Sequence, residues 1–180
     1  MADYDVVLLI EQELSPADAA QVHSLHVGLD DPVTYHVLLP LEDAAARIEA
    51  SMGSVSGGEM IASPAMSMSE VDLEAVRQDC EERSAAELRS TVVALEGAGA
   101  TVGTSTVVTH PPIDALEAKV AEVDGREAII LTRPHVVSEF FHLDWTSRAR
   151  RKIGVPVLHL LEHESFDEQA GGTGEGVTGI

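Results

Sequence analysis

The sequence predicts an α/β fold: a doubly wound, five-stranded parallel sheet with helices on both faces. Three observations predict it. Short apolar runs such as residues 5–10 (DVVLLI) and 128–132 (AIILT) read as strands buried on both faces. Amphipathic stretches of helical spacing stand between them. The resulting order, β-α-β-(loop)-α-β-α-β-α-β, joined by right-handed crossovers, winds a sheet in two directions.

Each element follows from local chemistry. Ser15-Pro16 opens the first helix, with serine as N-cap and proline at the first helical position. The apolar pattern carries that helix to about Gly28, and Asp30-Asp31-Pro32 breaks the chain. Residues 33–39 (VTYHVLL) form the second strand, closed by Pro40. A short helix is expected over 43–50. Residues 51–69 hold Ser, Gly and Met without a period, and four of the five methionines lie in or beside them. A loop of that length is expected to be a lid, an adaptable contact surface or, most simply, a mobile solvent loop.

The strongest helix runs over 71–95. Its apolar stripe comprises Val71, Leu73, Val76, Cys80, Ala85, Leu88, Val92 and Leu95, and Gly97 and Gly99 end it. Cys80 falls in that stripe among Asp79, Glu81 and Glu82, a setting for a small core residue and not for a thiolate. Residues 101–109 (TVGTSTVVT) read as the third strand, 113–123 as a short helix, and 128–132 as the fourth strand. One or two helices follow over 138–152, and residues 155–161 (VPVLHLL) close the sheet. The folded unit is therefore expected to span 1–163. The acidic, Gly-rich residues 164–180 lack a core-forming pattern and are expected to be disordered.

Composition narrows the function. The 180 residues carry Lys+Arg 11 against Asp+Glu 31, a formal charge of -20. Nucleic acid and anionic membrane surfaces repel such a chain, so neither is an expected partner. One cysteine excludes an internal disulfide framework and a cysteine-based zinc site. No apolar run approaches the roughly 20 residues of a bilayer span. The N-terminus, MADYDVVLLIEQE, carries acids where a signal peptide needs positive charge, so the cytoplasm is the expected compartment. Arg47 is the one base in residues 1–69, whereas Arg133, Arg148, Arg150, Arg151 and Lys152 cluster in 133–152. An anionic ligand is expected near that cluster. The plainer role of those bases is to offset a helix macrodipole.

The layout resembles the universal stress protein family within the HUP group of Rossmann-like domains. DVVLLI, the long helix closed by glycine, the strand exit AIILTRPH and the closing SRARRKIGVPVLHL carry the resemblance, which covers about residues 3–163. It implies a sheet order of 3-2-1-4-5 and a homodimer. Its ATP-binding members carry Gly-x-x-Gly, nine residues, then Gly-Ser/Thr after the fourth strand. Here no glycine stands between Gly125 and Gly154. Glycines let backbone N–H groups approach phosphates, so their loss argues against ATP bound in the usual manner. Arg133, Pro134, His135, Leu143 and Asp144 occupy the region instead. Asp144 at a helix start is a good cap and a poor neighbour for phosphate. The family's adenine-contacting Asp has no clear match, with Glu11 or Glu13 in the area.

The expected site lies beyond the carboxyl ends of the strands. Its candidate residues are Glu11, Arg133, His135, His142, Asp144 and Trp145, around a pocket for a small anion or a flat, nucleotide-like ring. The plainer alternative packs Trp145 on the sheet and uses the polar groups as helix caps. A divergent nucleotide site built on Arg133 and the last helix is the second functional reading.

Several motifs carry little. His159-Leu160-Leu161-Glu162-His163 matches the inverted zinc-protease signature, which needs a helix to bring both histidines to one face. In a strand they stand about 13 Å apart. His23 and His26 have a metal-compatible spacing without an evident third ligand. No phosphate loop and no Gly-x-Ser-x-Gly elbow occurs. The sequence thus assigns no cofactor, no metal and no catalytic residue, and it favours a non-enzymatic, stress-associated domain that binds a small ligand or a partner protein.

Overall fold

The computed structural model describes residues 4–41, 73–132 and 151–161. The expected helix 43–50, the loop 51–69, the last helices before residue 151 and the tail 164–180 lie outside them. Five strands form one sheet: β1 (Tyr4–Ile10), β2 (Val33–Pro40), β3 (Thr101–Val108), β4 (Glu127–Thr132) and β5 (Val157–Leu161). All pair in parallel, in the order β3-β2-β1-β4-β5. Three described helices accompany them: α1 (Pro16–Ser24), α2 (Leu73–Gly97) and α3 (Pro112–Val123). None is long and apolar enough to cross a membrane.

The alternation of side chains along each strand divides the core in two. Val6, Leu8 and Ile10 meet Tyr35, Val37 and Leu39 on one face, under Ala19 and Val22 of α1 and Leu88 and Leu95 of α2. Val7, Leu9, Leu38, Ala128 and Ile130 meet Ile113, Leu116 and Val120 of α3 on the other. β1 lies between β2 and β4, and its Val6–Ile10 are buried on both faces, as the apolar run requires. Cys80 sits in the core-facing stripe of α2, 1% exposed.

The caps explain where the helices stop. Ser15 Oγ accepts from the Asp18 N–H at 3.1 Å, and Pro16 follows it. Helix α2 closes in a Schellman motif: Ala100 N–H reaches the Leu95 carbonyl, Gly99 N–H reaches that of Glu96, and Gly99 takes φ +95.

One expectation is overturned. α1 ends at Ser24, four residues before Gly28. Val27 continues the apolar pattern, but it is 70% exposed. The chain tightens there, with His26 N–H bonding the His23 carbonyl three residues back, and this turn carries the His26 side chain to the sheet. β3 differs from the buried strands β1 and β4. It is an edge strand, exposed at Thr101 and from Gly103 to Thr106, and its hydroxyl-rich sequence suits that position.

Candidate functional site

In this strand order the connection from β1 runs towards β2 and that from β4 towards β5, so the carboxyl ends of these two paired strands form the topological switch point of the sheet, the place where doubly wound folds bind ligands. Glu11 follows β1 directly, and its N–H donates to the Leu131 carbonyl of β4 at 3.2 Å. The carboxylate-bearing residue is half-buried at this switch point. Thr132 ends β4, buried, and its Oγ1 lies 2.8 Å from His159 Nε2 of β5. Glu11 offers acceptors for ligand hydroxyl or amino groups, and Thr132 with His159 offers a second polar pair.

Of the six candidates taken from sequence, Glu11 is placed at the switch point. Arg133, His135, His142, Asp144 and Trp145 lie outside the described residues. Arg133 is next in the chain after Thr132. His159 stands in a strand and bonds Thr132, so the helix that the zinc signature needs is absent there; His163 lies outside the described residues. Among the described residues no group of three or more His, Cys, Asp or Glu could hold a metal ion.

The opposite pole carries two hydrogen-bonded relays that sequence reasoning missed. On the α1 face, His26 Nε2 lies 3.0 Å from Glu127 Oε1 and Nδ1 lies 2.7 Å from the Tyr35 hydroxyl. Tyr4 donates to Glu127 Oε2 at 2.9 Å. The hydrogen bond from His26 holds the Glu127 carboxyl below its ordinary range, against the opposite push of burial and with help from Tyr4. Burial, then the Glu127 charge, push the Tyr35 hydroxyl well above its ordinary value. Tyr4 is raised for the same first reason, then by its bond to Glu127. On the α3 face, His36 Nε2 lies 2.9 Å from Asp5 Oδ1, and Nδ1 lies 2.9 Å from Thr104 Oγ1. The one signal in the sequence is the polar residue inside or beside an apolar run, Asp5 before VVLLI and His36 within VTYHVLL.

His23, Asp31, Thr34, Tyr35, Gly99 and Thr101 also line a cavity of about 260 Å³ near this pole. His23 Nδ1 is buried with no hydrogen-bond partner. Among the described residues, the carboxyl-end switch point and this amino-end cavity are both places to seek a ligand.

No known family profile matches the chain, and no curated protein matches it in sequence. Solved structures do match its fold. The hypothetical protein MJ0577, whose biochemical function was assigned from structure, superposes with a TM-score of 0.57 at 13% identity, over 89% of this chain and 97% of that one. The universal stress protein from Archaeoglobus fulgidus in complex with dAMP gives 0.51 at 15% identity, over 88% and 98%. A structure of universal stress protein from the same organism gives 0.50 at 14%, over 87% and 92%. Identities this low speak for architecture alone: the chain has a universal-stress-protein-like fold.

Proposed function

We propose that this chain is a non-enzymatic binding domain that takes a small, nucleotide-like ligand at the switch point between the carboxyl ends of β1 and β4, without holding ATP in the usual manner. The observation that carries this reading is the reversal of strand order between β1 and β4, with Glu11 beside Leu131 at the point where it occurs. The missing glycines supply the second half. A triphosphate needs many closely approaching backbone N–H donors, and residues 126–153 contain no glycine to allow that approach. A monophosphate needs fewer, and Arg133 stands next in the chain to supply charge. The dAMP bound by the Archaeoglobus fulgidus protein favours a nucleoside monophosphate within this class.

A thermal-shift titration with AMP, dAMP and Mg-ATP tests the reading. A ligand that binds only the folded state at 100 times its Kd stabilises by about 2.7 kcal/mol. In a chain of this size that raises the melting temperature by about 5–10 °C. AMP and dAMP are expected to produce dose-dependent rises, with Mg-ATP well behind them. A larger rise with Mg-ATP would contradict the argument from the glycines. Flat curves with all three at millimolar concentration would remove nucleotides from the proposal.

A further inference from the structure

We propose that Thr104 is an activated hydroxyl, a covalent modification site that takes an acyl group from an uncharged activated ester or thioester through the Asp5–His36–Thr104 relay. The inference is independent of the switch point at the other pole.

The wiring fixes the direction of proton flow. An ionised Asp5 carboxylate can only accept, so the Nε2 of His36 that faces it carries a proton. A neutral imidazole then presents its Nδ1 lone pair to the Thr104 hydroxyl at 2.9 Å. A hydroxyl against a base, with the base oriented by a third group, is the general arrangement of an activated nucleophile. His36 and Asp5 side chains are 8% and 21% exposed, so the base is held in a largely dry setting.

The local backbone is shaped to make this contact. The pairing of β2 with β3 runs Tyr35↔Val102 and then His36↔Thr104, so Gly103 is an extra residue at a bulge. Regular pairing would place Gly103 opposite His36; the bulge brings Thr104 there instead. A Cβ at position 103 would come within 2.7 Å of Thr34 Cγ2 and 2.8 Å of His36 Cε1. Only glycine leaves the imidazole its seat.

Access separates this relay from its counterpart. Glu127, His26 and Tyr35 repeat the carboxylate–imidazole–hydroxyl wiring on the other face, but Tyr35 is 0% exposed, so no donor reaches its hydroxyl. Thr104 is exposed on the edge strand. The strand TVGTSTVV has no charged side chain, and the chain carries -20 overall, so an uncharged acyl donor fits and an anionic one is repelled. In the reaction Thr104 Oγ bonds to the acyl carbon and its proton passes to His36 Nδ1. The bond from the acyl carbon to the leaving oxygen or sulfur breaks, and the leaving group takes the proton from His36. The product is an O-acyl threonine.

The test incubates the full chain with p-nitrophenyl acetate at neutral pH, follows p-nitrophenolate release and maps the acetyl group by peptide mass spectrometry. Thr106 and Tyr35 serve as internal controls. The expected result is a stoichiometric burst with acetyl on Thr104. Thr104→Val should abolish the burst while circular dichroism shows the fold retained, and Thr104→Ser should keep it. Asp5 acts as a positioning residue, so Asp5→Asn should slow the burst by about a hundredfold, the scale of general-base assistance, and alter its pH profile. An undiminished burst in Thr104→Val, acetyl confined to amines, or equal labelling of Thr104 and Thr106 would overturn the proposal.

Discussion

Truncating Leu8 to alanine is expected to lower the unfolding free energy by about 2–5 kcal/mol, the range for a large-to-small change in a rigid core. Leu8 is fully buried at the centre of β1, the central strand, paired with Val37 on one side and Ile129 on the other. Helices α1 and α2 close over its face, so the surroundings have little room to collapse into the space left behind. Urea unfolding followed by circular dichroism gives the number. A loss below about 1 kcal/mol would mean that residue 8 is not enclosed, and the buried parallel sheet would be wrong.

Removing Glu127 is expected to cost about 1.5–3 kcal/mol, because Glu127→Ala leaves the His26 and Tyr4 donors without their acceptor. Its pH signature is sharper. The His26 hydrogen bond, then that of Tyr4, hold the folded carboxyl below its ordinary value against the opposing effect of burial. A depressed folded value means stability that is present above the unfolded value, about pH 4.3, and lost as pH falls through the folded one. Wild type should therefore lose stability faster than Glu127→Gln as pH falls from about 4.3, and the two unfolding curves should converge. Parallel curves across that window would contradict the assigned network.

The sheet was legible because its strands are apolar runs, VVLLI and AIILT, that only a doubly covered sheet can hide. The helix stop at Gly97–Gly99 was legible for a local reason too, since the left-handed turn at Gly99 belongs to glycine. The end of α1 was not. Val27 continues the apolar pattern, yet tertiary contacts of His26 with Tyr35 and Glu127 draw the chain out of the helix first. The edge position of β3 followed from the order 3-2-1-4-5 that the family resemblance implies.

The switch point was legible as topology, and so was the position of Glu11 at it, because that residue follows the first strand. The relays were not. Residues 5, 36 and 104 meet only through strand register and a single bulged glycine, and no spacing in the sequence encodes that.

The proposed ligand site lies at the carboxyl ends of β1 and β4. Amide chemical-shift mapping during an AMP titration tests it most directly. Perturbations are expected to concentrate at Glu11, Leu131, Thr132 and His159, at the carboxyl ends of β1, β4 and β5. Perturbations centred instead on His23, Thr34 and Thr101 would place the ligand in the amino-end cavity and contradict it.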